Sequence, residues 1–400
     1  MCCRSWGGYW MSNVNTRKLG DICTIVSGGT PSRSKLEYWN GGTISWIKIS
    51  NIKNKYVNES DEKITKLGLE ESSAKMLTKG TILYTIFATL GEVAILDIDA
   101  CTNQAIAGIN IKNTDILIND FLYYFLMSKK DYVNNIGRGV AQNNINMSIL
   151  RNIDIPLPPI DIQRKIVSNL DKVTHIMDLC NTILEKLDLL VKSQFVEMFG
   201  DPGTNPKEWN ETTIGKECYY IKDGPHKSLQ DIGKENGGHP FISVRNIVNG
   251  YIDFSTAKYI SDDDYFDAIK KCNPEKGDML YSKGGTTGIA KLVDIDEQFA
   301  NWVHVAVLKF DKLKINGIFF ENMLNLDYCY QQSQRLTKGI ANRDLVLSSI
   351  AQIQIYNPPL DLQNQFADFV KTIDKSKLAV KKTLEKAETL KKALMQEYFG

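Results

Sequence analysis

From Ile166 onward, apolar residues return at alternating intervals of four and three: Ile166, Leu170, Val173, Met177, Cys180, Leu184, Leu187, Val191, Gln194 and Met198. This spacing is that of a coiled-coil seam with one polar interruption, because a helix turns the same side inward every seven residues. Two hundred residues later the same register gives Phe366, Val370, Ile373, Lys377, Val380, Leu384, Ala387, Lys391, Leu394 and Tyr398, a weaker seam carrying two lysines. Prolines 156, 158 and 159 precede the first run and forbid helix, and Asp161 is the expected N-cap of the long helix. A helix of this length spans roughly 57 Å. Two such seams in one chain can bury each other. The intervening domain must return the chain, so the expected pairing is antiparallel with one globule at each end.

The repeat extends beyond the seams. Thirteen of the 46 positions from 155 to 200 recur unchanged at an offset of 200, including both prolines of "PP", Asp161/Asp361, Gln163/Gln363, Leu184/Leu384 and the closing Phe199-Gly200/Phe399-Gly400. Looser counterparts link "KLGDICTIVSGGTPS" to "TIGKECYYIKDGPHKS", "SWIKISNIKNKYV" to "PFISVRNIVNGYI", "KGTILYTIFATLGEVAILD" to "KGDMLYSKGGTTGIAKLVD" and "GVAQNNINMSIL" to "GIANRDLVLSSI". A period this long indicates a duplicated domain with its connector, not a solenoid. Short β-branched runs such as "TISWIKI" and "HVAVLKF" read as strands between Gly and Asn turns, and "NDFLYYFLMSKKDYVNN" reads as helix. The fold class is therefore α+β, two similar globules each followed by a long helix. The expected order is a leader over 1–16, a first globule over 17–155, a proline entry and helix over 156–206, a second globule over 207–355, and a second proline entry and helix over 356–400. Met11 serves equally well as the start.

Composition narrows the function. With 43% hydrophobic and 24% charged residues, the 400-residue chain has the make-up of a soluble globular protein, and no stretch approaches the roughly 20 apolar residues that cross a bilayer. No membrane partner is expected. The eight cysteines are scattered without a C-x-x-C pair, so neither a disulfide framework nor a zinc site is signalled, and a reducing cytoplasm is the expected compartment. The net charge is only +1, and the charges are spread so that no region is strongly basic. That balance counts against a solitary binder driven by phosphate contacts, and any DNA contact must be local or shared with a partner.

Catalytic patterns are weak. "NPPL" at Asn357 resembles the tetrapeptide with which adenine methyltransferases grip a flipped base, but Leu360 stands where an aromatic is needed, and copy one has "LPPI" at the same place. It is a helix-entry device. "SKGGTTGIAK" from Ser282 fails the P-loop spacing and reads as a turn between strands. His226, His239 and His304 have no acidic or cysteine spacing to support a metal site. The sequence describes a protein that binds, with no metal or cofactor expected in this chain.

The two diverged domains, the two near-identical helices, and the "IPLPPIDIQ" and "NPPLDLQ" entries after "GVAQNNINMSIL" and "GIANRDLVLSSI" resemble the specificity (S) subunit of type I restriction-modification systems. The resemblance covers residues 17–400. It implies that each globule is a target recognition domain reading one half of a split double-stranded DNA sequence. It also implies that the paired helices set the spacer and dock two methyltransferase subunits, with S-adenosylmethionine on those partners and a restriction subunit as a further partner. A repeated chain suits this stoichiometry, since two equivalent surfaces can hold two copies of one partner. Two other readings compete: a self-contained DNA methyltransferase or nuclease, and a coiled-coil scaffold that does not bind DNA.

Base reading needs Arg, Lys, Asn, Gln, Ser or His on loops that reach base edges. The candidates in copy one are Arg33, Lys35, Lys48, Ser50, Asn51, Lys53, Arg138, Gln142 and Asn143. Those in copy two are His226, Lys227, Arg245, Asn246, Lys283, Asn342 and Arg343. Asn51 and Asn246 have the competing role of shaping a turn.

Overall fold

The computed structural model describes residues 15–137, 144–339 and 342–400. The fold is α+β and built twice. By its internal contacts the chain divides into two compact units, residues up to Cys180 together with Thr383–Gly400, and Asn181–Lys382. Each unit thus owns one globule and a half of each long helix, Ile160–Phe199 and Leu360–Phe399.

In the first unit a sheet runs in the order Cys23–Ser27, Ile106–Ile111, Ile82–Thr85, Val93–Leu96 and Tyr56–Val57, antiparallel except at its last pair. A smaller sheet places Ile44–Ile47 between antiparallel Glu62–Ile64 and parallel Cys101–Thr102. The second unit repeats the plan. Cys218–Asp223, Val305–Phe310, Met279–Ser282 and Ala290–Leu292 form the main sheet, and His239–Ile242 lies between Lys258–Ile260 and Ala300–Asn301. The central strands are buried on both faces, which is why "ILYT", "VAIL" and "VAVLKF" read as near-continuous apolar runs. Helix Asn119–Ser128 buries Phe121 through Leu126 in the first core, and Gly317–Leu324 does the same with Phe319, Phe320, Met323 and Leu324 in the second. A two-stranded ribbon brings the ends of each globule together: Thr16–Lys18 with Asp154–Pro156, and Glu211–Thr213 with Gln354–Tyr356.

The repeated Pro-Pro-x-Asp-x-Gln phrase is a joint. Helix begins at Ile160, directly after Pro159, so Asp161 lies inside the first turn and is not the N-cap; its charge there complements the positive end of the helix dipole. Gln163 is fully buried. Its amide donates to the carbonyls of Pro158 (2.8 Å) and Ile116 (2.7 Å) and accepts from the Ile118 N–H (3.1 Å). Gln363 repeats this, donating to Pro358 (2.8 Å) and accepting from the Asn316 N–H (2.8 Å). Each glutamine ties the helix start to the segment that leads into the buried helix of its globule. In the first unit Asp171 adds a second tie, through Lys55 (2.8 Å) and the Tyr124 hydroxyl (2.6 Å).

The seam is visible as burial. Ile166, Leu170, Val173, Cys180 and Val191 are buried and Met177, Leu184 and Leu187 half-buried, while the intervening residues from 181 to 190 are exposed. On the second helix Phe366, Val370, Ile373 and Ala387 are buried and Val380, Leu384 and Leu394 half-buried. Within each unit the two helix segments run antiparallel. In the first, Ile166, Val167 and Leu170 share a core with Leu394, Met395, Tyr398 and Phe399, and Asn169 donates to the Tyr398 hydroxyl at 3.0 Å. In the second, the Phe195 and Phe199 rings lie 5.3 and 5.6 Å from Phe366. Both lysines that weaken the second seam have acidic neighbours on the first helix. Lys377 pairs with Asp188 at 2.7 Å, and Asp178 and Asp171 partly offset the burial that pulls the Lys391 pKa down. The repeated Phe-Gly also acquires a reason. Phe199 and Phe399 are each buried in a globular core, and Gly200 takes the left-handed conformation (φ 80°) that ends a helix. Among the described residues no helix is long and apolar enough to cross a membrane.

Candidate nucleic-acid interface

In the second globule the strand His239–Ile242 runs into a single tight turn, Val244–Asn246. Asn246 builds that turn. Its side chain accepts from the Ser243 N–H (2.8 Å) and donates to the Asp253 carbonyl (2.9 Å) and the Thr256 hydroxyl (3.1 Å). It is buried with both ends of its amide engaged, so the assignment of Asn246 as a base reader is corrected to turn-former. The turn leaves Arg245 exposed, steadied by one bond from Nη2 to the Thr256 carbonyl at 2.6 Å.

Arg245, Asn342 and Arg343 line one open cleft of about 610 Å³, together with Gly284–Thr286, Trp302, His304 and Asp344. Two loops form its rim and are stitched together: the Gly285 N–H donates to the Arg343 carbonyl (3.1 Å) and the Leu345 N–H to the Lys283 carbonyl (2.7 Å). Arg343 is oriented by Gln334 Oε1 and by the Thr287 hydroxyl at 3.4 Å. Lys283 does not reach the cleft. It is 5% exposed and lies beneath the rim between Asp344 (2.9 Å) and Asp223 (3.6 Å), while Lys271 holds Asp223 from the other side at 2.8 Å. As a base reader it is therefore corrected; a buried cation with two carboxylates is fixed in place, since losing either partner would strand a charge.

Trp302 and His304 were not among the base-reading candidates, His304 having been weighed only as one of three histidines for a metal site. Their rings meet edge to face at 4.6 Å, and Trp302 Nε1 and His304 Nδ1 are buried with no hydrogen-bond partner among the described residues. Burial first, and then the neighbouring Lys283, holds the His304 pKa below its ordinary value, with Asp344 and Asp223 pulling partly the other way. The available signal was the contrast of "NWVH" with "TNQA" at the same place in copy one. His226 and Lys227 are exposed but do not line the cleft; Lys227 pairs with Asp264 (3.4 Å) and Asp267 (3.3 Å).

The first globule builds the matching turn, Ile49–Asn51, with the Asn51 side chain accepting from the Lys48 N–H (2.9 Å) and donating to Asp61 (3.1 Å). Asn51 is thus also a turn-former, although it is only half-buried. The structural counterpart of Arg245 is Ser50, which is exposed, as is Lys53. Glu62 gathers two of the candidate cations, taking Lys48 and Arg33 at 2.5 Å each, and these partners hold its carboxyl below the usual range. The Arg33 guanidinium also lies 3.6 Å over the Trp39 ring. Lys35 is engaged elsewhere, by the Tyr38 hydroxyl (2.5 Å) and Glu71 (3.5 Å). Arg138, Gln142 and Asn143 lie outside the described residues.

Equivalent positions emerge from the shared ladder. The Lys283 N–H donates to His304 in one copy and the Ile86 N–H to Ala105 in the other, each at 2.8 Å; Gly284 bridges Asp344 where Phe87 bridges Asn144. Lys283, Gly284, His304 and Asp344 therefore stand where copy one has Ile86, Phe87, Ala105 and Asn144. Among the described residues no cluster of His, Cys, Asp or Glu could hold a metal ion.

One scaffold used twice, with polar turn-borne side chains that differ between the copies and a helix clamped to each, defines a duplicated recognition protein. The chain belongs to the type I restriction-modification DNA specificity family: the model described as "Type I restriction modification DNA specificity domain" matches residues 11–189 and again 206–389. It is similar to the type I restriction enzyme MjaIX specificity subunit of Methanocaldococcus jannaschii, with 27% identity over 90% of this chain and 86% of that protein. The EcoKI specificity subunit of Escherichia coli K12 is 19% identical over 74% of this chain and 66% of that protein. Among solved structures, the S subunit of a type I restriction-modification system from M. genitalium shares the fold, with a TM-score of 0.58 at 18% identity over 98% of both chains.

Proposed function

We propose that each globule reads one half of a bipartite double-stranded DNA target. The helices fix the spacing of the halves and dock two copies of a methyltransferase subunit. S-adenosylmethionine is carried by that partner, and this chain makes and breaks no bond itself. A restriction subunit joins the same assembly in the cytoplasm. The observation that carries this reading is the pairing of a common scaffold with unlike side chains at matching positions: Arg245, Gly284, His304 and Asp344 against Ser50, Phe87, Ala105 and Asn144. A protein reading an asymmetric target needs the frame preserved and the base-facing chemistry changed. A second solved relative, with a TM-score of 0.58, is described in terms of complex assembly and conformational transition of the type I R-M system, which supports an assembly of this kind.

Co-expression of the chain with a methyltransferase subunit, followed by mapping of methylated adenines, tests the reading. A split target with two fixed halves and a constant spacer is expected. Methylation by the purified chain alone, or no sequence-selective duplex binding with the partner present, overturns it.

A further inference from the structure

We propose that the cleft of the second globule reads a guanine through Arg245 and Arg343, an inference that rests on the DNA-recognition reading above. A guanidinium carries five N–H groups. The bond from Arg245 to Thr256 and those from Arg343 to Gln334 and Thr287 use only one terminal nitrogen of each, Nη2. The remaining donors are left for a ligand while the planes of the two forks are steadied. Of the base edges in the major groove, guanine presents two adjacent acceptors, N7 and O6, which match such a fork.

The charge beneath the rim fits the same partner. Asp344 is the single carboxylate lining the cleft among the described residues, and left bare it would repel both an acceptor edge and the phosphates beside it. Lys283 neutralises it from below at 2.9 Å. The same lysine, held also by Asp223, anchors the loop that carries Asn342 and Arg343, and so acts as a positioning residue. Copy one has none of this at the matching sites: Ser50 replaces Arg245, Ile86 replaces Lys283, and in sequence Asn143 replaces Arg343. The guanine requirement therefore belongs to one half of the target, and the other half serves as an internal control.

The test uses the full chain assembled with its methyltransferase partner. The target is mapped for the wild type and for Arg245→Ala, Arg343→Ala, Arg343→Lys and Lys283→Met. Discrimination for guanine in one half should fall about tenfold or more in each arginine variant, with the other half read as before. Arg343→Lys should relax it too, since it keeps the charge and loses the fork. Lys283→Met should blunt reading of that same half. Replacing the guanine by 7-deazaguanine, which lacks N7, should weaken wild-type binding and have little effect on the double variant Arg245→Ala/Arg343→Ala. Absence of guanine from both halves, survival of its requirement in the arginine variants, or an equal loss on all sequences overturns the proposal. A wild-type assembly with no defined target overturns the DNA-recognition reading itself.

Discussion

The imidazole of His304 lies so close to Gly284 that a Cβ added there would come within 1.8 Å of Nδ1. The matching pair in the first globule is Phe87 and Ala105, so bulk has moved from one loop to the other while the ladder between them is unchanged. Gly284→Ala should therefore destabilise the second globule by about 1–3 kcal/mol, the usual cost of overpacking. The double variant Gly284→Ala/His304→Ala should recover much of that loss. Thermal melting of the four proteins of this cycle measures the coupling. Additive losses would show that the two residues do not press on each other.

His304 also makes stability depend on pH. Its folded pKa lies below the ordinary 6.5, so between the two values the unfolded chain binds more protons than the folded one. Its contribution is complete above pH 6.5 and is lost as the pH falls through that value toward the folded pKa. Denaturant titrations from about pH 7.5 down to about pH 5 should show stability falling, and His304→Gln should flatten the slope. An unchanged slope would place the titration elsewhere.

Gln163 and Gln363 make the same prediction at two places. Replacing either by Leu removes a buried amide and leaves a backbone N–H and two carbonyls without their partner, a loss of about 1–3 kcal/mol for each group stranded. Limited proteolysis should cut faster near 116–118 in Gln163→Leu and near 314–316 in Gln363→Leu. Cleavage at the wild-type rate would demote the clamp.

Leu184→Asp places a charge on the helix seam, where Leu184 is half-buried between exposed flanking residues. The expected outcome is loss of methyltransferase binding together with loss of DNA binding, read by co-purification and gel shift. Leu189→Asp alters a side chain 63% exposed on the same helix and should leave helix pairing intact. If both variants retain partner and DNA binding, the seam does not hold the assembly.

The helices were legible because their pattern is local: a heptad spacing reports which side turns inward without knowledge of the rest of the chain. The clefts were not. Lys283 has the side chain of a base reader, yet residue type carries no information on burial when the deciding partners, Asp223 and Asp344, arrive from about 60 residues away on either side. The turn-shaping role of Asn246 instead rests on partners within ten residues. Arg245, Asn342 and Arg343 were named from composition and turn position, and the fold brings them to one cleft. Trp302 and His304 stayed hidden because they precede an apolar strand and resemble ordinary core. Asp161 lies two positions inside the helix instead of at its cap, since the helix already starts directly after Pro159.

The ribbon joining Thr16–Lys18 to Asp154–Pro156, and its twin at Glu211–Thr213 and Gln354–Tyr356, lets the chain enter and leave each globule at adjacent points. A body wired in this way behaves as a cassette. Because both leads run through one short ribbon, the strands and loops of a globule can change without moving the point from which its long helix departs.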